Sequence, residues 1–147
     1  MEIVFGIGAY DIRLGMRAED VIRILGMPDK INIDDSDELY EQNFVYNKQM
    51  LVLWFERENR PRVSLIQCFS PDITINGEKV LSKSKKEIKR LLRKNGFDKY
   101  EEIDEFTDEV LFYEDMSAWF NFKFDKLIYI EFSMLVSGDD IYWPYIE

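Results

Sequence analysis

Carboxylates are the most abundant chemically capable groups in this chain, and they are unevenly spread. One cluster is Asp34, Asp35, Asp37, Glu38 and Glu41; a second is Asp98, Glu101, Glu102, Asp104, Glu105, Asp108 and Glu109, punctuated by Tyr100 and Phe106. Such groups serve as general acid and base, hold a divalent ion, or present an anionic surface to a basic partner. Acid–base work needs two acids on one face, and neighbours such as Glu114-Asp115 or Asp139-Asp140 point to opposite faces of a strand. Calcium binding of the EF-hand kind needs a central glycine and a terminal glutamate, a spacing absent here. There is no histidine, which removes Ser-His-Asp and Cys-His catalysis and nearly all catalytic zinc sites. The single cysteine, Cys68, excludes internal disulfides and reads as a small core residue. The expectation is a protein without catalytic residues, metal or cofactor that works through its surface.

Net charge says what that surface meets. With 19 basic and 29 acidic residues the chain carries −10, at a sequence pI near 4.6. It is repelled by nucleic acid and by anionic membranes, so the expected partner is a basic protein domain. The opening MEIVFGIGAYDIRLG lacks the basic region and apolar stretch of a secretory signal, and no apolar run reaches bilayer length. A cytoplasmic location is the expectation.

The elements that position these groups read as a single domain over 1–147 made of two units. Leu14–Gly26 (LGMRAEDVIRILG) aligns with Leu81–Arg93 (LSKSKKEIKRLLR) at one offset, which later brings Val45-Tyr46 onto Phe112-Tyr113 and Phe55 onto Phe122. The units are about 11–70 and 78–133, followed by an aromatic tail over 134–147. Val21, Ile24 and Leu25 predict a helix ended by Gly26 and Pro28. Ser84 and Glu87 predict a capping box ahead of Ile88, Leu91 and Leu92. Three strands are expected after each helix: 42–46, 49–56 and 62–69, then 109–113, 117–124 and 127–132. The expected fold class is α+β, with two repeats of helix plus three-stranded antiparallel meander sharing one core and the helices on one face of the sheet.

The run Ile12-Arg13-Leu14-Gly15-Met16, then Glu19-Asp20-Val21 and Leu25-Gly26-Met27-Pro28-Asp29, resembles the signature that opens two kinds of helix-plus-sheet module. These are the small outer-membrane assembly lipoproteins and the beta-lactamase-inhibitor-protein-like domains, the latter built from tandem copies. The second unit departs from the signature, with Ser82-Lys83 in place of Gly-Met, and the lipidated N-terminal cysteine of the lipoproteins is missing. The resemblance implies a docking or inhibitory module, most concretely an immunity-type inhibitor of a basic toxin domain.

On this reading the partner-binding residues are Asp34, Asp35, Asp37, Glu38, Glu41, Glu101, Glu102, Asp104 and Glu105. The two clusters occupy equivalent loops, and one composite acidic surface at a common end of the sheet is expected. Tyr142, Trp143 and Tyr145 are hot-spot residue types that either anchor a partner or dock back as a lid. The basic run Lys83, Lys85, Lys86, Lys89, Arg90, Arg93 and Lys94 is expected to be a solvated face offsetting the surrounding acid. A carboxylate- or metal-dependent enzyme and a homo-oligomeric assembly subunit are the alternatives. The oligomeric expectation is a monomer or weak homodimer.

Overall fold

A computed structural model describes residues 1–105 and 108–146, so Phe106 lies outside the described residues. The chain opens with three short strands, β1 (Ile3–Val4), β2 (Gly8–Ala9) and β3 (Ile12–Arg13), followed by helix α1 (Ala18–Leu25). Four strands come next: β4 (Lys30–Ile33), β5 (Tyr40–Tyr46), β6 (Leu51–Glu56) and β7 (Val63–Cys68). A hairpin of β8 (Thr74–Ile75) and β9 (Glu78–Lys79) leads to helix α2 (Lys85–Lys94). Then follow β10 (Glu101–Glu105), β11 (Asp108–Tyr113), β12 (Ala118–Lys123) and β13 (Lys126–Ser133), and a tail hairpin of β14 (Leu135–Ser137) and β15 (Asp140–Tyr142). One antiparallel sheet holds eight strands in the order β10-β11-β12-β13-β7-β6-β5-β4.

This corrects the expected fold class. Among the described residues the protein is mainly β, 47% strand against 15% helix, and it is not a pair of α+β repeats of helix plus three strands. The difference arises where the sequence reads as loop. Lys30–Ile33 and Glu101–Glu105 are both strands, paired along β5 and β11 respectively. Each satisfies backbone groups that an uncovered β5 or β11 would leave open, so pairing outweighs poor strand propensity in Glu-Glu-Ile-Asp-Glu. The N-terminal lead also folds, as a three-stranded sheet of β1, β2 and β3 whose Ile3 and Ile12 join the core.

Cross-strand partners share a face, so the register separates the two sides of the large sheet. One row runs Phe44, Leu53, Ile66, Phe132, Ala118 and Tyr113, all buried. Val21 of α1 and Ile88, Leu91 and Leu92 of α2 pack against this side, and Phe5 sets its ring 5.9 Å from Phe120 and 5.7 Å from Phe132. Each such buried side chain contributes roughly 1.5–3 kcal/mol of transfer free energy. The helices therefore sit on the core face. Among the described residues no helix packs on the opposite face of the sheet.

The helix ends are fixed locally. The Ser84 amide donates to Glu87 Oε1 at 3.1 Å and the Glu87 amide to Ser84 Oγ at 3.2 Å, which is the reciprocal capping box. At α1 the Arg17 amide donates to Asp20 Oδ2 at 3.0 Å. Gly26, at φ +82°, closes that helix with its amide on the Ile22 carbonyl, and Tyr46 donates its hydroxyl to the Gly26 carbonyl at 2.9 Å.

Candidate interaction surface

The acidic clusters do not converge. β4 and β10 are the two outermost strands, seven spacings apart, roughly 34 Å at about 4.8 Å per strand. Because every neighbouring pair is antiparallel, β4 and β10 also run in opposite directions. The C-terminal ends of β4 and β10 thus lie at opposite ends of the sheet, and the described acids of the two clusters do not form the expected composite surface. The sequence places both clusters after a helix and before a strand; the far-edge placement comes from β7 pairing with β13, which no local pattern encodes.

Several of the acids are committed locally. Asp34 Oδ1 accepts from the Ser36 hydroxyl at 2.7 Å and amide at 2.9 Å, and these bonds hold its carboxyl below the ordinary range. Asp37 Oδ1 accepts from the Leu39 and Tyr40 amides at 2.7 and 2.9 Å. Both are turn-building roles. Asp35 and Glu38 are exposed and Glu41 is half-buried on β5.

On β10 the alternation divides the cluster. Glu102 and Asp104 share the helix side, while Glu101, Ile103 and Glu105 share the other. Glu102 pairs with Lys89 and, at 3.6 Å, with Lys85; Lys85 reaches Glu109 at 2.6 Å. Lys89 also lies 4.7 Å from the Tyr100 ring centroid. The hydrogen bond that Lys89 donates holds the Glu102 carboxyl below its usual range, and donating to Glu109 and Glu102 holds Lys85 and Lys89 above theirs. The basic helix and the acidic strand thus meet each other, so Glu102 is engaged within the molecule.

The tail is divided too. Trp143 stacks under the Arg62 guanidinium at 3.6 Å, and the Tyr145 amide donates to the Leu14 carbonyl at 3.3 Å. Gly15, at φ +100°, lets this happen: a Cβ there would stand 2.8 Å from the Tyr145 carbonyl oxygen and 3.2 Å from Trp143 Cε3. Burial raises the Asp20 carboxyl, but the Arg17 amide, Arg23 and Tyr145 bound to it bring it below its usual range. Trp143 and Tyr145 are docked as a lid, whereas Tyr142 is 57% exposed. A cleft of about 410 Å³ lies beside them, lined by Gly15, Arg17, Arg62, Ile141, Trp143, Tyr145 and Ile146.

What the sequence reading passed over is the helix-free face of the large sheet. One register row crosses all eight strands: Lys30, Val45, Val52, Gln67, Glu131, Trp119, Phe112, Glu101. Charges stand at its ends, apolar groups inside them, and a polar pair at the centre. Phe112 and Trp119 stack at 4.8 Å, Phe69 and Tyr129 stack at 4.8 Å, and Tyr40 meets Trp54 edge-on at 5.4 Å. All six rings keep intermediate exposure. At the centre Trp54 Nε1 donates to Gln67 Oε1 at 2.7 Å, and Gln67 Nε2 donates to Glu131 Oε2 at 3.0 Å. Burial first, and the Glu131 carboxylate next, raise the Tyr40 and Tyr129 hydroxyls above the ordinary phenol value. The signal was present in the sequence: aromatics at Trp54, Trp119 and Phe112 occupy strand positions opposite in parity to the core residues Phe55, Phe120 and Leu111.

No cluster of three or more His, Cys, Asp or Glu side chains among the described residues is arranged to hold a metal ion. Cys68 is buried, which pushes its thiol up to about 12. No helix among the described residues is long and apolar enough to cross a membrane.

No family model and no curated protein matches the chain. A search of solved structures finds a likeness to an extracellular protein containing an SCP domain from Bacillus anthracis str. Ames. That likeness has 14% identity and a TM-score of 0.48, over 82% of this chain and 44% of the other, so this chain spans under half of that protein.

Proposed function

We propose that this protein is a non-enzymatic protein-binding module whose open sheet face docks a basic partner domain. The observation that carries this reading is the uncovered aromatic row around Glu131. Stacked Phe112 and Trp119, Tyr129 with Phe69, and Trp54 with Tyr40 supply the large, rigid, partly polar side chains that dominate binding energy at interfaces. Glu131 sits among them and accepts from Gln67, with the rest of its carboxylate available to a cationic side chain. Asp35, Glu38 and Glu41 at one edge, and Glu101 and Glu105 at the other, add a field that attracts a basic partner. The motif resemblance of Ile12–Asp29 points to the same class of function, although the tandem fold it implies is not the one found, and inhibition of a basic toxin domain is the most concrete form of this proposal. A cytoplasmic location is part of this proposal, and a partner that is neither nucleic acid nor membrane belongs to it on the strength of the −10 charge.

The test is affinity capture from the native host with wild type and with a Trp54→Ala/Trp119→Ala variant, washed at low and moderate salt. A basic protein retained by wild type, released by salt and lost from the variant is the expected outcome. Equal retention by both proteins, with the variant shown to be folded, contradicts the open-face reading.

A further inference from the structure

The two edges of the large sheet are built differently. β10 is guarded by Glu101, Glu102, Asp104 and Glu105, so a second copy laid against it sets carboxylate against carboxylate. β4 carries no carboxylate within the strand and a single charge, Lys30. Its Ile31 and Ile33 are 44% and 69% exposed, and Met27 and Leu39, which flank it in the chain, are 69% and 70% exposed. An unpaired edge bearing isoleucines is a template for another strand.

The register of β4 says which strand fits. The Asp34 amide donates to the Glu41 carbonyl at 3.0 Å, so Asp34, and by alternation Asn32 and Lys30, direct their backbone groups at β5. Ile31 and Ile33 therefore direct theirs outward. Two copies of β4 laid antiparallel about a two-fold axis at Asn32 place Ile31 opposite Ile33 of the other copy, and Ile33 opposite its Ile31. Both are pairs whose outward N–H and C=O groups can bond. The same register sets Lys30 of each copy opposite Asp34 of the other, on the other face of the strand. Over residues 30–34 the edge is thus complementary to itself in backbone, apolar and charge pattern, and the one like-charge pair of this register, Asp29 opposite Asp35, lies outside the strand.

We propose that β4 pairs with β4 of a second copy of this chain, forming a two-fold dimer with one continuous sheet. The pairing uses the edge alone, and it leaves the open face of both copies on the same side. It is independent of the proposed binding function.

Sedimentation velocity over a wide concentration range tests it with four proteins, each verified as folded by circular dichroism. Wild type is expected to move from monomer to dimer as concentration rises. Ile31→Lys/Ile33→Lys removes the apolar pairs and raises the dissociation constant by at least about tenfold. It does so although the two added cations weaken the general repulsion between copies, so net charge cannot be the cause. Lys30→Asp weakens the dimer, and Lys30→Asp/Asp34→Lys, which restores opposite charges across the axis, recovers it relative to Lys30→Asp. A wild type that stays monomeric at the highest concentration overturns the proposal. So does a dimer that the isoleucine variant leaves intact.

Discussion

At the residue scale, Gly15 shows how a motif position acquires its reason only in three dimensions. Its φ of +100° is a conformation that side-chain-bearing residues rarely adopt, and the tail lies against the space a Cβ would need. Gly15→Ala is therefore expected to cost about 1–3 kcal/mol and to free the tail. Chemical denaturation with Trp143 fluorescence as a probe checks both, since loss of the Arg62 contact re-exposes that ring. Asp20 adds a pH dependence to the same contact. Its folded carboxyl lies below the unfolded value, so its contribution is present above about pH 4 and is lost as pH falls through the folded value. Tail docking, followed by the same fluorescence, should weaken in acid by that route. From the sequence the Leu-Gly-Met run reads only as a module opening, because the groups that crowd Gly15 lie at positions 143 and 145.

At the element scale, α2 and β10 form a charge clamp in which a basic helix and an acidic strand neutralise one another. Glu102 is held low and Lys85 and Lys89 are held high, so the clamp is complete between about pH 4.3 and about pH 10.4, the unfolded values of the two residue types. It weakens as pH falls through the lowered Glu102 value, and again as pH rises through the raised lysine values. Amide protection factors of Glu101–Glu105 should fall at both extremes while those of Ala118–Lys123 stay high. At the N-terminus of α2, Ser84→Ala removes one partner of the capping box and is expected to cost about 1 kcal/mol, measurable by urea unfolding. This cap was legible because its spacing is local. β10 was not, since Glu-Glu-Ile-Asp-Glu has almost no apolar alternation and becomes a strand only through pairing along β11. β4 escaped notice for the same reason, as Lys-Ile-Asn-Ile is too short to separate from a loop by period alone.

At the scale of the whole molecule, the eight-stranded sheet has one face sealed by helices and one face paved with aromatics. The sequence supplied the core face, whose Phe44, Phe55, Phe120 and Phe132 are all buried. It did not show how the strands are ordered, so the acidic clusters that look equivalent along the chain end on opposite edges. Charge at those edges and aromatics between them act at different steps of binding. Reversing Asp35, Glu38 and Glu41 should slow partner association several-fold and flatten its salt dependence, with little change in dissociation. Truncating Trp119 should instead speed dissociation, at a cost of about 2 kcal/mol or more. Surface plasmon resonance with the captured partner separates the two. The most direct test of where that partner sits is hydroxyl-radical footprinting of the chain with and without it. Protection of Trp54, Phe112, Trp119 and Tyr129, with Trp143 and Tyr145 unchanged, is the result expected. Protection confined to the tail or the acidic turns, with the sheet face as reactive as in the free protein, would contradict it.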